Sequence, residues 1–546
     1  MDTVLPILGM TCEACARRVE VALNAVDGVT AVVSLLRGTA TIRADDPVDL
    51  STLQHAVTAA GYQVGATGAD ARAAPVDAGD GTGLHVAVVG SGGGAFAAAI
   101  RAAEAGARVT LIERGTLGGT CVNVGCVPSK LLLRAGETMQ HMRQPRFAGI
   151  PAVADGRVDR HALIKQLRAR VDTLRHDKYE AILAENPAIT LLRGHARFED
   201  AATLAVETPD NGAVRVSADR ILVATGAAPA APPIPGLHRT PWWTSTDALF
   251  ADTAPEHAVV IGSSFVAVET AQAFRRLGSE VTMLARGRLL TREAAEVGQA
   301  LSAAFEDEGI RVLTETQARR VDHDGRQFTI ATDGERLHCD ALVVATGRTP
   351  NTSDLGLDRI AMRTDARGAI EVDERLRTSV GNVYAAGDCT DQPQLVYVAA
   401  AAGTRAAINM TGGDATLDLS VVPSVIFTDP QVASVGHDEH QAAAAGIRTV
   451  TRRLELVQVP RALANFDTRG FVRLVAEAHT GRLIGARVVA HNGGETIQAA
   501  ALAIRARMSV DDLAGELFPY LTLSESLKLC AQTFSRDVSQ LSCCAG

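Results

Sequence analysis

The chain has 546 residues, 47% hydrophobic content and a formal net charge of −9, a length that suits three or four domains of about 100–200 residues each. The acidic balance and the lack of a basic run argue against a nucleic-acid surface. The opening MDTVLPILGM lacks the basic start and apolar stretch of a secretory signal, and the longest uncharged run, 81–100, is broken by glycines and too weakly apolar for a bilayer span, so a cytoplasmic protein with no membrane partner is expected.

Residues 1–67 form a self-contained pattern. An apolar run, Val4–Leu8, leads into GMTCEAC, and a helix follows with Val19, Leu23 and Val26 at helical spacing. Alternating segments Val29–Leu35 and Thr39–Arg43 meet at Arg37-Gly38, a hairpin signal. A second helix, Leu50–Ala60, stops at Gly61 before a short strand near Tyr62–Val64. The order βαββαβ is a ferredoxin-like layout. Residues 68–83, rich in Gly, Ala, Asp and Pro without an apolar period, read as a flexible tether.

From Leu84 strands alternate with long helices, which implies a parallel sheet. Gly90-Ser91-Gly92-Gly93-Gly94-Ala95 follows a strand and opens a helix, and Glu113 ends the next strand. Glycines there let backbone N–H groups approach a pyrophosphate, and the acid can accept from a ribose diol. A second such unit begins at Gly262-Ser263-Ser264-Phe265-Val266-Ala267. Its next strand ends in Arg286, with Arg288 and Arg292 close behind, where an NAD site would carry an acid. Arginine forks suit a 2′-phosphate, so NADPH is favoured over NADH. Arg288 reads as part of the loop and not as a ligand. The region from about Thr416 mixes strands and helices as a further α+β domain.

Six of the nine cysteines form three tight pairs: Cys12 with Cys15, Cys121 with Cys126, and Cys543 with Cys544. In a reducing compartment such pairs are redox-active or metal-binding more often than structural. Cys339, Cys389 and Cys530 have no close partner in sequence and are expected in the core. Residues five apart on a regular helix are separated by ~7.5 Å, beyond the ~7 Å limit for a disulfide. Cys121 and Cys126 could therefore pair only where the helix is distorted, which Gly125 permits. Adjacent Cys543 and Cys544 could form a disulfide only with strain, yet make a good clamp for a soft ion.

GGTCVNVGCVPSK in this setting resembles the redox site of the flavin disulfide reductases, the group of glutathione reductase and dihydrolipoamide dehydrogenase. The resemblance runs from about residue 84 to 546 and includes LVATGAAP, VVATGRTPN and VYAAGDCTD. It implies an α/β architecture with an FAD-binding domain at 84–228 and 346–415, an NADPH-binding domain at 229–345, and a dimerisation domain at 416–546. It further implies bound FAD, NADPH and a homodimer. Gly90, Gly92, Ala95, Glu113, Gly115, Gly119, Thr120, Lys130, Ala196, Asp388 and Val396 would contact FAD by this resemblance. Gly262, Ala267, Arg286 and Arg292 would contact NADPH. Glu269 would pair with Lys130.

Relatives of that group carry His-Pro-Thr-x-x-Glu in the last domain, with the histidine as proton shuttle. Here the stretch is Tyr520-Leu-Thr-Leu-Ser-Glu525, and a phenol of pKa ~10 is a poor shuttle at neutral pH. GMTCEAC is similar to the heavy-metal-associated domains, whose loop cysteines bind a thiophilic ion. The combination resembles the mercuric reductases. It implies reduction of Hg(II), presented as thiol complexes, with Cys12, Cys15, Cys121, Cys126, Cys543 and Cys544 as ligands and Tyr179 and Tyr520 near the inner ion. A metal-delivering transporter or carrier would be a further partner. An NADPH-dependent disulfide reductase with a fused metal-binding domain, and a non-catalytic metal-sequestering protein, stay open as alternatives.

Overall fold

Alternation of inward apolar and outward polar residues builds the N-terminal sheet. In the computed structural model, which describes residues 2–8, 13–34, 39–44, 48–64, 83–153, 156–209 and 212–537, strand Thr39–Ala44 pairs antiparallel with both Asp2–Leu8 and Val29–Ser34. A short strand, Gln63–Val64, pairs with the end of Asp2–Leu8. Val29, Ala31 and Val33 point inward while their neighbours face water, the period-2 signature of a half-buried sheet. Helices Glu13–Asn24 and Leu50–Ala59 close the module over Leu5, Val19, Leu23, Ile42, Leu53 and Val57. The ferredoxin-like order is as expected, with boundaries shifted by one or two residues. Cys12 lies outside the described residues. Cys15 falls within the first helix.

The chain divides into two compact units, one of Met1–Val127, Arg168–Ala228 and Arg348–Leu417, the other of Pro128–Leu167, Pro229–Gly347 and Asp418–Gly546. Beyond the N-terminal module, the first unit is organised by a five-stranded sheet in the order Val383–Ala385, Arg220–Val223, His85–Val89, Arg108–Glu113, Ile189–Arg193, with every pair parallel. His85–Val89 is buried along its whole length, which explains its unbroken apolar run. Helices Gly93–Glu104 and Val396–Met410 approach so closely that a Cβ on Gly403 would overlap the Gly94 carbonyl oxygen. An antiparallel trio, His195–Phe198, Thr203–Thr208 and Gly212–Ser217, completes the unit.

In the second unit a four-stranded parallel sheet runs Ile310–Leu313, Glu280–Leu284, His257–Ile261, Ala341–Val344. The C-terminal part is a five-stranded antiparallel sheet covered by helices Gly493–Arg505 and Glu525–Gln532. A buried ionic network links its parts. Arg276 reaches Glu308 at 2.5 Å and Asp429 at 2.8 Å, and Arg469 bonds Asp429 and Asp467. His491 Nδ1 lies 3.6 Å from Asp429 Oδ1.

Cys339, Cys389 and Cys530 are all buried, as expected of small core residues. Burial pushes the Cys339 and Cys530 thiols up to about 12, which makes them inert. Among the described residues no helix is long and apolar enough to cross a membrane.

Candidate active site

The glycine turn of the first unit is dictated by sterics. Gly90 has φ +111°, and a Cβ there would strike the Ala224 carbonyl. Gly119 has φ +66°, and its Cβ would stand 2.6 Å from Gly92 Cα. Two backbone segments thus pass at a distance only glycine allows. Val396, at the start of its helix, lies against Gly93, whose Cβ would be 3.2 Å from its Cγ2. The Glu113 carboxylate is aimed by two donors at 2.6 Å, Ser91 Oγ and Gly115 N. Ala196 is buried in strand His195–Phe198, and Ala95 is buried in the helix that the turn opens.

Asp388 follows strand Val383–Ala385 and is part-buried. Burial raises its pKa against the opposing pull of Arg348, whose Nε is 3.9 Å away. Arg348 donates through Nη2 to the Ala227 carbonyl, but its buried Nε has no hydrogen-bond partner. A part-buried carboxylate 3.9 Å from a guanidinium whose Nε has no hydrogen-bond partner fits a polyhydroxylated chain beside the pair. With the glycine cradle and the aimed Glu113, these residues fit FAD.

The cysteine segment is two helices, Gly119–Val124 and Cys126–Arg143, broken at Gly125 with φ −130° and ψ −113°. A Cβ on Gly125 would lie 2.9 Å from the Thr120 carbonyl oxygen, so a side chain would force this break open. Cys121 is part-buried and Cys126 exposed. Thr120 is exposed at the start of the turn.

Tyr179 sits in a single π-helical turn, His176–Glu180, a feature common at functional sites. Its ring meets Phe96 edge-on at 4.6 Å. Burial raises its pKa, and the charges of Cys121 and Cys126 raise it further. The phenol and both thiols therefore share one electrostatic neighbourhood.

In the second unit, Lys130 Nζ donates to Glu269 Oε2 at 2.8 Å. The second oxygen of that buried carboxylate accepts from Phe427 N at 2.8 Å. The ammonium also lies 4.6 Å from the Phe427 ring centroid. At the second glycine turn, Gly262 has φ +145° and its Cβ would meet Ala267 Cβ at 3.0 Å. Arg286 and Arg292 are exposed, free to reach a ligand. Arg288 instead caps its own loop, donating to the carbonyls of Leu290, Thr291 and Glu293. Tyr520 is half-exposed. Cys543 and Cys544 lie outside the described residues.

Three neighbours of these groups have no signal in residue spacing: Arg348, Phe427 and Asn123. Arg348 stands inside VVATGRTPN, so the motif was visible while its contact with Asp388 was not. Phe427 acts through its backbone N–H, which no side-chain pattern reveals.

Residues 84–403 match the pyridine nucleotide-disulphide oxidoreductase family, residues 422–531 its dimerisation domain, and residues 4–63 the heavy-metal-associated domain. The mercuric reductase of Acidithiobacillus ferrooxidans is 56% identical over 100% of this chain and 99% of its own. That of Shigella flexneri is 55% identical over the full length of both. Among solved structures, the HOCl-induced flavoprotein disulfide reductase RclA of Escherichia coli, as its Cu(II) complex, has a TM-score of 0.73 at 28% identity. The match covers 81% of this chain and 98% of RclA. The cradle, the broken cysteine helix and full-length likeness at this level place the chain in the mercuric reductase branch of the pyridine nucleotide-disulphide oxidoreductases.

Proposed function

We propose that this chain reduces Hg(II) to Hg(0) with electrons from NADPH, and that Cys121 and Cys126 hold the ion while it is reduced. The observation that carries the residue assignment is the helix break at Gly125, which separates the two thiols onto different helices beside Tyr179. The balance is NADPH + Hg(II) → NADP⁺ + H⁺ + Hg(0). Bound FAD supplies the two-electron carrier between the nicotinamide and the sulfur pair.

The chain's own residues set the rest. Hg(II) is soft and prefers thiolates to oxygen or imidazole ligands. Cys126 is the thiol nearer the cofactor and Cys121 the outer one, by family analogy. Cys12 and Cys15 collect the ion from carriers, including a metal-delivering transporter. Cys543 and Cys544 of a partner subunit pass it inward, each handover exchanging one thiolate for another so that no bare ion is released. Tyr179 and Tyr520 flank the inner ion. Glu113 and Asp388 hold hydroxyls of the cofactor, and Arg286 and Arg292 hold the 2′-phosphate of NADPH. A neutral mercury atom no longer binds thiolate strongly, so its escape needs no proton donor, consistent with tyrosine at position 520.

The test mixes holoenzyme, NADPH, excess thiol and Hg(II), and follows NADPH loss with mercury vapour. One vapour atom per NADPH is expected. Stable bound metal without NADPH consumption would instead establish sequestration, and fast turnover of oxidised glutathione or lipoamide would establish a disulfide reductase.

A further inference from the structure

Between the two thiols lies Asn123, a polar residue only 5% exposed. Its amide nitrogen donates to two carbonyls at 2.8 Å, Leu117 O and Gly119 O. These carbonyls bracket Gly118 and Gly119, both at positive φ, so the amide fixes the turn that brings the thiols to the cofactor cradle. Asn123 Oδ1 faces the other way and accepts from Arg175 Nη1 at 3.1 Å.

Arg175 closes helix Arg160–Arg175, immediately before the π-helical turn that carries Tyr179. Its remaining donors go to Asp172 at 2.7 Å and to Glu180 at 3.3 Å. One guanidinium therefore grips Asp172 in the helical turn before the π-turn, Glu180 at the end of the π-turn, and the dithiol turn. The Tyr179 ring completes a second contact between the same two segments: a Cβ on Gly118 would meet its Cδ2 at 3.3 Å. Asp172 and Glu180 alone would serve to cap a helix. The bond to Asn123 reaches across 52 residues to the middle of the CVNVGC segment.

We infer that Arg175 is a positioning residue which, through Asn123, locks the π-turn of Tyr179 to the cysteine turn and so sets where the phenol stands relative to the two thiols. The catalytic consequence rests on the proposed reduction of Hg(II), whereas the positioning itself does not. Misplacing a group by about 1 Å at a reacting centre can cost on the order of 100-fold in rate. Arg175 matters in proportion to how far Tyr179 drifts without it.

The experiment compares Arg175→Met, which keeps the aliphatic stem, with Arg175→Lys, Tyr179→Phe and the double variant Arg175→Met/Tyr179→Phe, all as holoenzymes. In protein labelled with 3-fluorotyrosine, the Tyr179 fluorine resonance is identified by its loss in Tyr179→Phe. It is expected to shift or broaden in Arg175→Met while the other four tyrosine lines (five Tyr in the chain) stay in place, and to return toward its wild-type position in Arg175→Lys. In turnover, Arg175→Met should lower kcat by the same factor as Tyr179→Phe, leave the KM for NADPH unchanged, and add nothing in the double variant.

An unmoved Tyr179 resonance in Arg175→Met overturns the inference, whatever the substrate proves to be. So do multiplicative losses of kcat in the double variant. If Arg175→Met does not fold, Arg175→Gln, which keeps a polar side chain too short to reach Asn123 and leaves the Asn123 bonds to Leu117 O and Gly119 O intact, must displace the same resonance. If instead the resonance moves as described but no variant or wild-type protein yields mercury vapour, the positioning stands and the proposed reaction fails.

Discussion

Replacing Glu269 and Lys130 together should cost the second unit less than the two single replacements cost in sum. The Glu269 side chain is 6% exposed and that of Lys130 32%. Leucine at 269 leaves the Phe427 N–H without its acceptor, a loss of about 1–3 kcal/mol. It also strands an ammonium that keeps only the Phe427 ring, and breaking a buried pair from one side costs ~3–5 kcal/mol. Because almost a third of Lys130 meets water, the lower end applies, and the single variant should lose about 3 kcal/mol. Lys130→Met strands the carboxylate on one backbone donor and should lose a similar amount. With both replaced, no charge is buried and only the Phe427 amide is orphaned. The double loss should then fall about 2 kcal/mol short of the sum of the singles. Urea unfolding at fixed protein and FAD concentrations, followed by circular dichroism, measures the three losses. If the double loss equals the sum, the two side chains do not interact in solution and the pairing drawn from the 2.8 Å contact is wrong.

Gly119→Ala places a methyl 2.6 Å from Gly92 Cα at a residue with φ +66°, so the purified protein should carry substoichiometric flavin, read from the ratio of flavin to protein absorbance. Arg286→Glu should erase the preference for NADPH over NADH, measured as the ratio of kcat/KM values; an unchanged ratio removes Arg286 from the 2′-phosphate site. The Asp429 hydrogen bond raises the pKa of His491, aided by the charges of Asp429, Glu137 and Asp467 against burial. A raised folded pKa means stabilisation that is complete below the unfolded value of about 6.5 and is lost as pH climbs through the folded value. Thermal midpoints should therefore fall as pH rises above about 6.5, and His491→Gln should flatten that slope.

Local sequence is what made the glycine turns, Glu113 and the cysteine break readable. A glycine forced to positive φ, an acid at a strand end and a helix interrupted between two cysteines each depend on a few consecutive residues. Gly125 illustrates this: a disulfide between residues five apart requires a distorted helix, and the helix is broken there. Arg348 shows the opposite case. Its neighbour Asp388 is 40 residues away, and the partner of its Nη2 is 121 residues away, on a strand, Ala227–Pro229, that pairs with Arg348–Pro350 in a two-stranded sheet, so only the tertiary fold brings them together. Phe427 is hidden for a related reason, since its contribution is an amide hydrogen and any residue but proline could supply it. The π-turn at HDKYE escapes a helical reading because one inserted residue changes the phase of a helix without changing its composition. That phase nonetheless decides which way Tyr179 points.

The same division explains how a disulfide-reductase scaffold can serve a metal. The parts proposed to hold cofactors, namely the glycine turns, Glu113, Asp388 and the Lys130–Glu269 pair, would concern electrons arriving and be indifferent to their destination. What distinguishes the destination is the product. A reduced disulfide leaves as a thiolate that must be protonated, and a base with pKa near neutrality is then worth keeping. A reduced mercury atom carries no charge and accepts no proton. Tyr520, half-exposed and five residues before the buried Glu525–Gln532 helix, can on the proposed reaction give up proton transfer without cost to turnover, while the proposed outer pairs, Cys12 with Cys15 and Cys543 with Cys544, answer a need that a disulfide substrate does not create.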